Sequence, residues 1–126
     1  MALLGQAGIG RVAVSIAAVP AVFPVRYAVL DGDVVFSTAR GTSLDGALRN
    51  AVVAFEVDDL DPEDRAGWSV LLVGMADEIT DTERRARVHE LTQASRSGPT
   101  HDRVMAIHPE LISGRRVVVR SPRGAS

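Results

Sequence analysis

The chain has 126 residues, 46% of them apolar, and a formal charge of −2, which suits one domain with its own core and argues against disorder or a basic nucleic-acid face. It contains no cysteine and no lysine, all fourteen basic residues being arginine. Disulfides, thiolate nucleophiles, the common zinc sites and Schiff-base chemistry are thereby excluded, and an anion must be met by arginine, hydroxyls or backbone amides.

No apolar run approaches the ~20 residues of a membrane helix. Met1–Gly10 lacks the basic start and long apolar stretch of a secretion signal, so the expected compartment is the cytoplasm. Val12, Val14 and Ile16 alternate with Ala13, Ser15 and Ala17, the period of a half-buried strand. Val22 to Leu30 is a second strand, with Phe23, Val25, Tyr27 and Val29 on one parity. Asp31-Gly32 is a strong two-residue hairpin signal, and Asp33 to Thr38 returns.

That turn sets a register in which Leu30 faces Asp33, Tyr27 faces Phe36, Arg26 faces Ser37 and Val25 faces Thr38. It places Tyr27, Phe36, Val25, Val29 and Val34 on an apolar face and Arg26 and Ser37 on the other. Leu44, Ala47, Leu48 and Ala51 then recur at helical spacing, with Thr42 as N-cap and Asp45 in the first turn.

Val52 to Asp58 is again strand, followed by an acidic stretch, Asp58 to Asp64, read as a solvated loop. That stretch lacks the glycine and ligand spacing of a calcium loop, and no metal site is expected. Trp68 to Ile79 is a long strand, apolar on both parities from Val70 to Val73, as for a strand buried on both sides where a barrel wall also meets a partner. Thr80-Asp81-Thr82-Glu83 opens a polar helix to about Leu91. His89 on that helix and His101 beyond it are expected to face solvent.

Ser95 to Thr100 is a loop, and two final strands, Arg103 to His108 and Leu111 to Val119, are separated by Pro109. Residues 121–126 are a tail of the single domain, 1–126. Several short strands without alternating helices indicate an antiparallel barrel or sandwich.

A strand ending at Phe36-Ser37-Thr38 delivers, through Ala39-Arg40-Gly41, the start of a helix at Thr42-Ser43, with Arg26 near by. Helix starts and guanidinium groups both suit phosphate, and an ordinary capped surface loop explains the same residues.

The segments Gly10 to Ser15, Pro24 to Val29, Asp31 to Phe36, Gly41-Thr42, Val53 to Asp58, Gly67 to Val70 and Ile107 to Arg115 follow one another in an order similar to the pyridoxamine 5′-phosphate oxidase-like superfamily of FMN-binding split barrels, over nearly the whole chain. The resemblance implies a mainly β fold, a six- to seven-stranded antiparallel Greek-key split barrel, working as a homodimer with flavin at the subunit seam.

Carried over position by position, Val25, Arg26 and Tyr27 match the strand lining the isoalloxazine ring, and Ser37 and Thr38 the strand end that reaches the ribityl chain and phosphate. Thr42 and Ser43 match the helix start, where the family commonly has a lysine on the phosphate. Trp68 and Ser69 match a strand start that meets the ring edge from the second subunit.

Ser43 departs from the pattern, because a serine gives a neutral hydrogen bond where a charge-assisted one is expected. The implied function is an FMN-dependent oxidoreductase of unknown substrate. The alternatives are the same barrel holding a deazaflavin coenzyme or haem, or a cofactor-free dimeric module. No nucleic-acid or membrane partner is expected.

Overall fold

The computed structural model describes residues 7–61, 63, 66–92 and 102–118. Six strands form a closed antiparallel barrel: β1 (Ala7–Ile16), β2 (Val19–Leu30), β3 (Asp33–Ala39), β4 (Val52–Asp61), β5 (Ala66–Glu78) and β6 (Asp102–Val118). Helix α1 (Ser43–Leu48) links β3 to β4, and α2 (Thr82–Thr92) links β5 to β6. Around the barrel the order is β1-β2-β3-β6-β5-β4, so β4-β1-β2-β3 forms the Greek key and α1 makes its long return.

Alternation builds the core. Val12, Val25, Tyr27, Val34, Phe36, Phe55, Leu72, Met105 and Ile107 point inward, and Leu44 and Leu48 of α1 join them. On the outside, α2 lays Val88 over Ala28, Val35, Val104 and Ala106, forming a second cluster. No helix among the described residues is long and apolar enough to cross a membrane.

The Asp31-Gly32 turn has φ of 54° and 85°, the left-handed pair of a type I′ hairpin, and pairs Leu30 with Asp33 and Tyr27 with Phe36 as its register requires. A second two-residue turn, at Ala17-Ala18, also has positive φ, 51° and 68°, and joins Ile16 to Val19. β2 therefore begins at Val19, three residues before the expected start.

Other expectations are corrected. β4 runs through Asp61, so the start of the acidic stretch is strand paired with β5. The cap of α2 is Asp81, whose carboxylate accepts from the Arg84 amide at 2.9 Å. β6 continues through Pro109 as one strand. It does so with a bulge: Val73 pairs with Leu111 and Gly74 with Pro109, leaving Glu110 without an opposite residue. Gly74 permits this, because a Cβ there would lie 1.9 Å from the His108 carbonyl oxygen.

On β5, Val70 and Leu72 are interior, while Leu71 is 43% exposed on an outer face that no described element covers, the face the expectation gave to a partner. His89 is not solvent-facing: its side chain is 17% exposed, with Nε2 3.8 Å from an Asp102 oxygen. The expected loop at 95–100, His101 and the tail at 121–126 lie outside the described residues.

Candidate functional site

The β2–β3 ladder stops at Tyr27–Phe36. Beyond it, β2 stays paired with β1, Val25 with Gly10 and Arg26 with Ile9. β3 carries β6 on its other edge from Val34–Ile107 to Ala39–Asp102, so past Phe36 only its β2-facing edge is left open. The expected Arg26–Ser37 and Val25–Thr38 pairs therefore do not form, and the strands part into a notch. Its facing edges have no partner strand among the described residues, so main-chain donors and acceptors line it.

Four of the anticipated residues flank this notch. Val25 and Thr38 are buried on the inner side, Arg26 is exposed outside, and Ser37 is half-buried. Arg26 makes no ion pair or side-chain hydrogen bond among the described residues. A free guanidinium beside unpaired edges suits an anionic, hydrogen-bonding ligand.

Tyr27 contributes differently from the expectation. Its ring is 1% exposed and stacks edge-on against Phe55, with centroids 5.0 Å apart. Burial pushes its phenol above the usual range. The ring is core, and the Tyr27 backbone is paired with Gly8 on one side and Phe36 on the other, so Tyr27 marks the closed end of the notch.

The start of α1 is engaged with itself. The Thr42 hydroxyl accepts from the Asp45 amide at 3.2 Å and donates to the Ala39 carbonyl at 2.8 Å. The Asp45 carboxylate accepts from the Gly41 amide at 2.8 Å. Asp45 is 3% exposed and is gripped by Nε of the buried Arg103, whose NH1 reaches Glu78 at 2.8 Å.

Burial pushes the Asp45 carboxyl upward, but the Gly41 amide and Arg103 outweigh it and hold the group below the ordinary carboxylate range. A fixed negative charge thus stands where a phosphate would use the helix amides. Ser43 is exposed beside it, and Arg40 lies 3.7 Å from Glu78. Asp45 thus disfavours a phosphate on the helix amides, whereas the Arg26 guanidinium is unpaired among the described residues.

Trp68 and Ser69 sit elsewhere. Trp68 is half-buried against the barrel core, and Ser69 faces outward, donating to Glu56 at 3.2 Å. Arg11 holds the other Glu56 oxygen at 2.8 Å. Glu56, Ser69, Leu71, Ser113, Gly114 and Arg115 line a cavity of about 280 Å³. Burial, and then Asp58, raise the Glu56 carboxyl above its usual value, against the pull of Arg11 and Ser69.

Along β5, Ser69 is roughly 30 Å from Glu78, the residue tied through Arg103 to the start of α1. One chain therefore brings Val25, Arg26, Ser37 and Thr38 together, with Thr42 and Ser43 following on from the same strand, while Trp68 and Ser69 lie on β5, two strands beyond β1, at the end of that strand away from Glu78.

Asp45, Arg103, Glu78, Glu56 and Arg11 were not anticipated as parts of the site. Asp45 three residues after Thr42 was a capping signal, whereas its pairing with Arg103 spans 58 positions and has no local signature.

Comparison with known proteins places these features in a wider set. Residues 1–116 match the family described as pyridoxamine 5′-phosphate oxidase. The chain is 40% identical over 126 residues to the uncharacterised protein Rv0080 of Mycobacterium tuberculosis, covering 96% of this chain and 82% of that one. An FAD-binding protein from Mycobacterium smegmatis superposes with a TM-score of 0.77 at 30% identity, over 88% of this chain and 86% of its own. An FAD-binding protein from Mesorhizobium loti gives 0.72 at 24% identity, over 86% and 83%, a likeness of fold alone.

Proposed function

Because the chain belongs to the pyridoxamine 5′-phosphate oxidase family, we propose that it binds a flavin nucleotide at the notch between β2 and β3 and serves as a flavin-dependent oxidoreductase. The observation that carries the reading is the parting of the strands beside Arg26, a guanidinium without a protein partner among the described residues. The likeness to a protein described as FAD-binding supports it.

In this reading Arg26 takes the phosphate, with the Ser37 hydroxyl across the notch as a neutral donor. The unpaired main-chain edges of β2 before Tyr27 and of β3 after Phe36 offer hydrogen bonds to the edge of the ring system. Bound flavin supplies the electron-transfer chemistry, so the protein need contribute only position and electrostatics. The notch chemistry is the same for FMN and FAD, which share the ring and first phosphate; FMN is the smaller occupant.

A second copy completes the site. In this reading Trp68 and Ser69, on β5 and away from the β2–β3 notch in sheet order, meet the ligand from the other copy. Ile9, Val22, Leu71 and Leu111, between 43% and 69% exposed, supply apolar surface for the two-fold contact.

The test is the absorbance spectrum of the protein as purified, with the mass of any cofactor released on denaturation. Flavin bands and the mass of FMN or FAD support the proposal and tell the two apart. A colourless protein whose melting temperature ignores both, at concentrations a hundred times a micromolar dissociation constant, overturns it, since about 2.7 kcal/mol of stabilisation would be missing.

A further inference from the structure

Beyond Ile107 strand β6 loses β3 as a neighbour and runs on against β5 alone. Residues 109–118 therefore form an arm with one paired edge. Its root is poorly held by main-chain bonds: Pro109 has no N–H, and the bulge at Glu110 interrupts the β5 ladder.

His108 stands at that root. Its Nδ1 lies 3.0 Å from an Asp33 oxygen on β3, and its Nε2 lies 3.3 Å from an Asp77 oxygen on β5. The imidazole thus spans three strands on the outside of the barrel, joining side chains where the ladder has ended.

The proton count decides what this contact can be. A neutral imidazole has one donor nitrogen and one acceptor nitrogen, so one ring nitrogen would present its lone pair to a carboxylate. Only the imidazolium, a donor at both nitrogens, satisfies the two contacts together. We propose that His108 is a proton-operated clasp: as imidazolium it ties the root of the β6 arm to β3 and β5, and on losing its proton it lets the arm loosen.

The surroundings agree. The charged groups facing His108 are Asp33 from β3 and Asp77 from β5; Met75 lies opposite it in the β5 ladder, and Glu110 follows on its own strand. The adjoining turn carries Asp31, engaged at 2.7 Å by Arg84 of α2, which keeps that cation off the clasp. The bond to Asp33 raises the imidazole above its ordinary value, burial works against it, and Asp77 adds to the rise.

A group with a raised folded-state pKa stabilises fully below its unfolded value, and that stability is lost as pH rises through the folded value. The clasp is therefore closed in mildly acidic solution and opens as pH rises through that raised folded-state value.

What the clasp regulates is the arm's cargo. Ser113, Gly114 and Arg115 form one wall of the 280 Å³ cavity whose other wall carries Glu56 and Ser69. Loosening at His108 widens or reshapes that cavity. The inference stands whether or not flavin binds.

The test uses the intact chain without added ligand. Imidazole resonances are titrated by NMR in the wild type, Asp33→Asn, Asp77→Asn and His108→Gln, the last identifying the signal. Backbone hydrogen exchange is followed at about pH 6 and about pH 9 and corrected for intrinsic rates. The expected result is a His108 pKa above the ordinary imidazole value that falls in each carboxylate variant. Arm amides should lose protection roughly three- to ten-fold at the higher pH, while β1 amides do not. Asp33→Asn and Asp77→Asn should narrow that difference, which keeps the test valid should His108→Gln fail to fold. An ordinary His108 pKa, or arm protection that is independent of pH or of the carboxylates, overturns the proposal.

Discussion

Gly74→Ala is the sharpest test of the bulge that lets β6 pass Pro109 and become an arm. A Cβ at position 74 would lie 1.9 Å from the His108 oxygen, 2.7 Å from its carbonyl carbon and 3.2 Å from Pro109 Cα. Ordinary contact begins at 3.4 Å. The overlap is with backbone, so no rotamer change relieves it; either β6 moves outward or β5 twists. Overpacking of this kind costs about 1–3 kcal/mol, and a clash with main chain belongs at about 3.

For a domain of this size that is a fall in Tm of roughly 10–15 °C. Urea and thermal melts measure it, with Gly46→Ala as control. Gly46 lies in α1 with nothing within 4 Å, so alanine there gains up to about 1 kcal/mol in helix propensity. If Gly74→Ala melts within about 0.5 kcal/mol of wild type, the close approach of β5 and β6 is wrong and the clasp loses its hinge.

Three further outcomes follow from the same geometry. Ala18→Gly relieves a left-handed alanine, at φ 68°, and should raise stability by about 0.5–1 kcal/mol in urea melts, the strain relieved exceeding the entropy glycine adds to the unfolded chain. Asp45→Asn should lower the urea midpoint at neutral pH. Because the folded-state pKa of Asp45 lies below its unfolded value, its contribution is present above the ordinary carboxylate range and lost as pH falls through the folded value; the two proteins should therefore converge in acid. Leu71→Arg places a charge in the exposed apolar patch and should convert a dimer into a monomer by light scattering, whereas a wild type that is already monomeric at high concentration removes the two-fold site.

What could be read in advance was what short-range physics controls. Asp31-Gly32 announces its turn, and the turn carries the register as far as Tyr27–Phe36. Alternation places Tyr27 on the apolar face, and the buried ring agrees with that parity rather than with the role at the flavin that resemblance assigns it.

The illegible parts depend on distant partners. Ala17-Ala18 turns without the residues a turn usually shows, because ten consecutive β1–β2 pairs hold it. Pro109 looked like a break, yet the strand survives it through a glycine on the neighbouring strand. The start of α1 looked open to phosphate, and an arginine from β6 holds Asp45 there instead. The notch could not be foreseen, since the hairpin register alone does not say that β2 and β3 cease to pair beyond Tyr27–Phe36.

The account rests on a flavin gripped beside Arg26, and an equilibrium titration addresses that most directly. Protein stripped of cofactor is titrated with FMN and with FAD by flavin fluorescence, in wild type and Arg26→Gln. Saturable binding should appear with at least one of the two, weakened about 10- to 100-fold in the variant, as loss of a charge-assisted phosphate contact requires. Binding of unchanged strength in Arg26→Gln would move the flavin away from the notch, and no binding in either protein would contradict the function proposed.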